Sequence, residues 1–125
     1  MAKIIGLDIG LKRIGVAFSD GKITVPLNPI IRKNRNQAAN EVREVLSEYK
    51  ADTLVIGVPL GGGSEDEMKR RVEHFASLLD FHGKLEYVNE AYSSSEASDL
   101  YTSSKRDGRL DSMSAMIILN RYLKL

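Results

Sequence analysis

Six consecutive residues, Thr53-Leu54-Val55-Ile56-Gly57-Val58, carry the strongest constraint on how this chain folds. They are almost wholly apolar with no polar alternation, and Pro59 and the glycines Gly61 to Gly63 end the run. A strand of that kind is buried on both faces, as happens where helical crossovers cover the two sides of a parallel sheet. The flanking segments have the right periodicity for such crossovers. From Gln37 to Tyr49 the residues Ala38, Ala39, Val42, Val45, Leu46 and Tyr49 recur at helical spacing, with Arg43, Glu44 and Glu48 on the other side. Beyond the run, Ser64 and Glu67 form a capping-box signature, and Met68, Val72, Phe75, Ala76 and Leu79 make a second buried stripe.

The rest of the chain fits around that unit. Lys3 to Ile9 reads as a strand, and so does Arg13 to Ser19, where Ile14, Val16 and Phe18 alternate with smaller residues. The short link between them makes the pair antiparallel. Asp20-Gly21 predicts a two-residue hairpin, after which a third strand runs from Lys22 toward Ile31. Pro26 and Pro29 lack backbone donors, so this strand belongs at a sheet edge and should be irregular. Leu85 to Glu90 is a further strand. Ser93 and Glu96 cap a short helix to about Tyr101, residues 102–108 form a polar loop, and Asp111 opens a last helix through Met116, Leu119, Tyr122 and Leu123. The expected fold is α/β, a mixed five-stranded sheet made of a three-strand antiparallel meander plus two parallel strands, with helices on both faces.

At 125 residues, with no internal repeat or linker, residues 1–125 read as one domain. No apolar run is long enough to cross a bilayer, and Gly6 and Asp8 break the N-terminal run before it could serve as a signal-peptide core. The absence of cysteine excludes disulfides and thiolate metal sites and suits a reducing cytoplasm, the expected location. A net charge of +1 does not announce nucleic-acid binding, so that argument falls to local clusters. There are three: Arg32, Lys33 and Arg35; Lys69, Arg70 and Arg71; and Lys105, Arg106 and Arg109. Each also reads as a plain solvated face. The third immediately precedes Asp111 and is the one expected to track phosphates.

A carboxylate inside the first strand, Asp8 between Gly6 and Gly10, is the main chemical anomaly. Asp8 shares a strand face with Ile4, Gly6 and Gly10, so no bulky same-strand neighbour stands beside it, and the glycines leave room for an ion or a phosphate. The plainer reading is an Asp-x-Gly turn. Open parallel sheets bind ligands outside the carboxyl ends of their strands, which points to Glu90 as a companion; Asp111 is either a third member or a simple N-cap. Three converging carboxylates would repel unless cations neutralised them, so convergence predicts a divalent metal. All-oxygen ligation suits Mg²⁺ or Mn²⁺, with metals about 3.5 to 4 Å apart in two-metal phosphodiesterases. His74 and His82 offer no zinc spacing or catalytic triad. The glycines Gly61 to Gly63 lack the ending of a P-loop and read as a flexible loop.

Together, GLDIGLKRIGVAFSD at 6–20, the Gly57-Val58-Pro59-Leu60 turn with Gly63-Ser64-Glu65, NEAYSSSEA at 89–97 and RLDSMSAMIIL at 109–119 resemble the YqgF/RuvX family over nearly the whole chain. The resemblance implies an RNase H-like fold and a metal-dependent nuclease. The implied task is either maturation of the 5′ end of pre-16S rRNA, with ribosomal particles as partners, or resolution of branched DNA at Holliday junctions. It implies that Asp8, Glu90 and Asp111 are the catalytic, metal-holding triad and that Arg13 contacts phosphate. The chain departs from the family pattern at Asn89 and Ala91, where aspartate and arginine are usual, which leaves a weakly catalytic nucleic-acid-binding module as a further reading. A resolvase needs a two-fold dimer, whereas the RNA reading is met by monomer or homodimer. Actin-like kinases share the Asp-x-Gly strand but need two such domains.

Overall fold

The computed structural model describes residues 2–10, 12–58, 65–89 and 109–124. Along the chain these form β1 (Ile4–Ile9), β2 (Arg13–Ser19), β3 (Thr24–Pro26), β4 (Ile30–Ile31), α1 (Arg35–Glu48), β5 (Thr53–Val58), α2 (Glu65–Ser77), β6 (Lys84–Asn89) and α3 (Arg109–Leu123). The sheet order is β3-β2-β1-β5-β6, with β4 also paired to β2, so six strands occupy five positions. β2 and β3 run antiparallel to their neighbours, while β5 is parallel to β1 and β6 to β5. This is the expected mixed sheet of a meander and two crossover strands.

The double-sided burial read from residues 53–58 is present: all six are buried. On one face Ile5, Leu7, Ile9, Leu54 and Ile56 pack with Ala38, Val42 and Leu46 of α1 and with Val72, Phe75 and Ala76 of α2. On the other, Ile4, Ala17 and Val55 pack with Ala115, Ile118 and Leu119 of α3. Period-two alternation along β1 thus divides its side chains between two separate apolar layers.

Besides one-residue shifts at the ends of β1 and β6, four boundaries differ from expectation, each for a local reason. The third strand is two pieces. Ala17 pairs with Pro26 but Ile14 pairs with Ile30, so two residues of β2 face three of the edge, a bulge at residues 27–29 next to Pro26 and containing Pro29. The turn after β2 is wider than two residues, because the Asp20 carboxylate accepts the N–H groups of Lys22 (2.9 Å) and Ile23 (3.0 Å) and builds its own side-chain turn, with Gly21 at φ 97°. α1 begins earlier than Gln37, since Asn34 and Gln37 form a reciprocal capping box. The last helix starts at Arg109, so Asp111 lies in its first turn rather than at its cap. The expected 93–101 helix, the 102–108 loop and Gly61 to Gly63 lie outside the described residues.

At the end of the sheet where β1 starts, Asp52 ties three strands together. Its carboxylate accepts the Lys3 N–H (2.9 Å) and the Thr53 hydroxyl (2.8 Å), while its carbonyl accepts the Lys84 N–H (3.0 Å). The Lys3 bond first, and then the Thr53 hydroxyl, hold this carboxyl below the usual aspartate range. A depressed folded-state pKa contributes stability that is present above the unfolded value of about 3.9 and is lost as pH falls through the folded value. Urea midpoints should therefore drop in that acid window, and Asp52→Asn should flatten the drop; equal slopes in both proteins would refute this role for Asp52.

Candidate functional site

Asp8 is half-buried near the carboxyl end of β1 and lies opposite Gly15 of β2. By alternation it lies on the α3 side of the sheet, in line with Ile4 and Gly6. Arg13 is exposed at the start of β2 on the same face, two residues before Gly15. Asp8 and Arg13 are therefore diagonal cross-strand neighbours, about 7–8 Å apart.

The glycines flanking Asp8 have a different cause from the open space expected for a ligand. A Cβ on Gly6 would stand 2.5 Å from Cγ of Leu119, so the missing side chain at 6 is the seat of an α3 leucine. A Cβ on Gly10 would stand 2.7 Å from the Arg13 carbonyl oxygen, which already accepts the Gly10 N–H at 2.9 Å. Gly10 closes the β1–β2 turn. Gly6 thus serves close packing against α3 and Gly10 the tight β1–β2 turn.

The Gly6–Leu119 contact and one serine fix the direction of α3. The hydroxyl of Ser112, which is 1% exposed, donates to the Leu27 carbonyl at 2.6 Å and accepts the Val16 N–H at 3.4 Å. Val16 pairs with Leu7, so the first turn of α3 lies level with the carboxyl half of β1, and Leu119 lies further back over Gly6. The start of α3 therefore lies over β2 and the edge bulge, and the helix crosses toward β1 at Leu119, on the face of the sheet that carries Asp8. The same serine fills the gap in the ladder at the edge bulge, where Leu27 N–H still reaches the Val16 carbonyl at 2.8 Å. Ser112→Ala strands a buried donor and acceptor and should cost about 1–3 kcal/mol. A urea midpoint unchanged from wild type would show that the ladder closes without the hydroxyl.

β6 ends at Asn89, paired with Val58, at this same end of the sheet. Glu90, the next residue in sequence, and Ala91, Lys105 and Arg106 lie outside the described residues; the side chains of Asn89, Arg109 and Asp111 are likewise not among those described. Among the described residues no three His, Asp or Glu side chains come together as a metal site.

Two of the basic clusters meet, although they are 30 or more positions apart in sequence. A cavity of about 260 Å³ outside the carboxyl end of β1 is lined by Ile9, Gly10, Arg32, Arg35, Arg71 and Phe75, with Val72. Arg32 donates to the Gly10 carbonyl at 2.7 Å and stands over the Phe75 ring, 5.4 Å from its centroid. Burial, and then the nearby charge of Arg35, lower its hold on its proton. Arg35 lies 3.2 Å from Nε2 of His74. Sequence alone showed both clusters but not their meeting, because nothing local to either reports the packing of α2 beside the start of α1.

A family model described as "RuvX: Holliday junction resolvase" matches residues 2–125. A protein of Campylobacter lari named "Putative pre-16S rRNA nuclease" is 56% identical over 98% of both chains. One of the same name from Sulfurimonas denitrificans is 52% identical over 98% of this chain and 97% of its own. Among solved structures, T. thermophilus RuvC in complex with Holliday junction substrate superposes with a TM-score of 0.59 at 9% identity, covering 99% of this chain and 96% of that one. The fowlpox virus Holliday junction resolvase gives 0.58 at 12% identity, with 98% of each chain covered. At those identities the likeness is one of fold.

Proposed function

Since this chain belongs to the RuvX family, we propose that it is a metal-dependent endonuclease that processes the 5′ end of pre-16S rRNA. The observation that carries the reading is the half-buried Asp8 at the carboxyl end of β1, on the face along which α3 begins. Curated relatives about half identical along their whole length bear the rRNA nuclease name, which favours RNA over branched DNA.

The oxygen-only donor set of Asp8, Glu90 and Asp111 fits Mg²⁺, with Mn²⁺ as an alternative. When bound, such an ion supplies a more acidic water and neutralises charge on the leaving oxygen. Asp8 contributes a carboxylate from a strand flanked by β2 and β5, so its backbone is held before substrate arrives. Asp111, in the first turn of α3, sits where a negative charge is favoured by the helix dipole. Arg13 offers a guanidinium fork to a phosphate next to the one attacked. Lys105, Arg106 and Arg109 track the backbone further along the strand. Asn89 and Ala91 remove one negative and one positive group around Glu90, so tight substrate clamping depends on other residues.

The test is cleavage of a precursor rRNA fragment and of a four-way DNA junction, each with Mg²⁺ and with chelator. Cutting of the rRNA precursor in Mg²⁺ alone is expected. Paired symmetric cuts in the junction by a dimer, with the RNA left intact, would assign the resolvase task instead. Binding of both substrates with no cut in either would leave a binding module.

A further inference from the structure

We propose that the arginine-lined cavity at the end of β1 is a second phosphate-binding site, which takes a backbone phosphodiester of the nucleic-acid substrate beside the Asp8 centre. The proposal rests on the nuclease reading for the identity of the ligand, but not for the presence of an anion site.

Three elements bring one guanidinium each: Arg32 after β4, Arg35 at the start of α1 and Arg71 on α2. Among the described residues lining the cavity there is no carboxylate. Arg35 is the first residue of α1, whose first turn contains no acidic residue. A helix N-terminus carries positive partial charge and favours acids, so an arginine there works against the helix unless an anion is nearby. Burial, and then the charge of Arg35, also weaken the hold of Arg32 on its proton, a cost that a nearby anion would relieve. The fold accepts both costs at one place.

Arg32 is also held in position. The Gly10 carbonyl takes one of its donors, and the guanidinium carbon stands over the Phe75 ring, 5.4 Å from its centroid. This leaves a fork of fixed orientation, the form in which arginine binds phosphate through paired hydrogen bonds. His74 restrains Arg35 from the α2 side. Gly10 is two residues beyond Asp8, about 7 Å of extended chain. Asp8 faces α3 and the cavity opens on the α1 and α2 side, so a single nucleic-acid strand laid across the end of β1 meets both.

The test measures binding, not cutting. Affinity for a fluorescent single-stranded precursor rRNA fragment is followed across a KCl series with chelator present, for wild type, Arg35→Gln/Arg71→Gln and Arg43→Gln. Arg43 lies on the same helix away from the cavity, donating to the Leu78 carbonyl, and serves as the control. The double variant should bind roughly tenfold more weakly. Its plot of log affinity against log salt should flatten by about 0.7, the value for one phosphate contact on a single strand. Arg35→Gln alone, at an exposed position, should shift both in the same direction and keeps the test valid should the double variant fail to fold. Unchanged affinity and slope in a folded double variant would overturn the proposal. So would loss of inorganic phosphate binding with RNA affinity intact, because the cavity would then serve a free anion. If wild type never cuts RNA yet the salt slope falls in the variants, the phosphate site stands while the nuclease reading fails.

Discussion

Asp8→Asn is expected to lower Mg²⁺-dependent cleavage by roughly a thousandfold or more, the scale on which removing one preorganised charged group acts. Asparagine keeps the shape and deletes the charge. Asp8 is half-buried and is not a member of either apolar layer, so its replacement leaves the packing of β1 intact. Without metal, the proposed grouping of Asp8 with Glu90 and Asp111 would be relieved of repulsion by the change, and the melting temperature should then equal or exceed that of wild type. With Mg²⁺, wild type should gain stability through linked binding and the variant should not. The two readouts separate a catalytic role from a structural one. A variant that cuts at the wild-type rate, or that keeps the full Mg²⁺ stabilisation, sinks the assignment of Asp8.

Gly6→Val should produce the largest loss of stability of any single change considered. The first added carbon already lies 2.5 Å from Leu119 Cγ, and Leu119 is fully buried between sheet and helix. Overpacking of a filled core costs about 1–3 kcal/mol and occasionally more, and valine adds two further methyls to the same collision. Against a typical total of roughly 5–15 kcal/mol this is a substantial fraction. Strain that lifts α3 from β1 also moves Ser112 off Val16 and Leu27, so cleavage should fall further than stability alone explains. The milder Gly6→Ala offers the decisive control. Combined with Leu119→Ala it should recover part of the loss, because the cavity made by one change receives the carbon added by the other. Strictly additive losses in that pair would show that Gly6 matters through backbone conformation and not through contact with α3.

The alternation in β2, the unbroken apolar run of β5 and the amphipathic stripes of α1 and α2 were all legible in sequence, and with them the class and the sheet arrangement. These signals are local: each strand or helix advertises its period and its buried face within its own residues. Boundaries set by side-chain hydrogen bonds were less legible. Asn34 with Gln37 starts α1 early, and the Asp20 carboxylate widens a turn that Asp-Gly alone would have made tight. Both are choices among competing local bonds that composition does not rank.

Asp8 stood out in sequence as a charge in an apolar strand, and it lies near the carboxyl end of β1 on the α3 face. Its glycine neighbours were legible as special but not for the right reason. Gly6 is small because Leu119 arrives from a helix more than a hundred residues later, and no period within β1 records that. Ser112 likewise looks like an ordinary helical serine until the edge bulge presents it with an open donor and acceptor. The meeting of Arg32, Arg35 and Arg71 around one cavity is of the same kind. Which residues can carry charge, alternate or turn was written in the chain itself, because those properties belong to single residues and short spacings. Which of them share a site was decided only by tertiary packing, because the contacts that bring distant segments together depend on shape complementarity that neither segment contains alone.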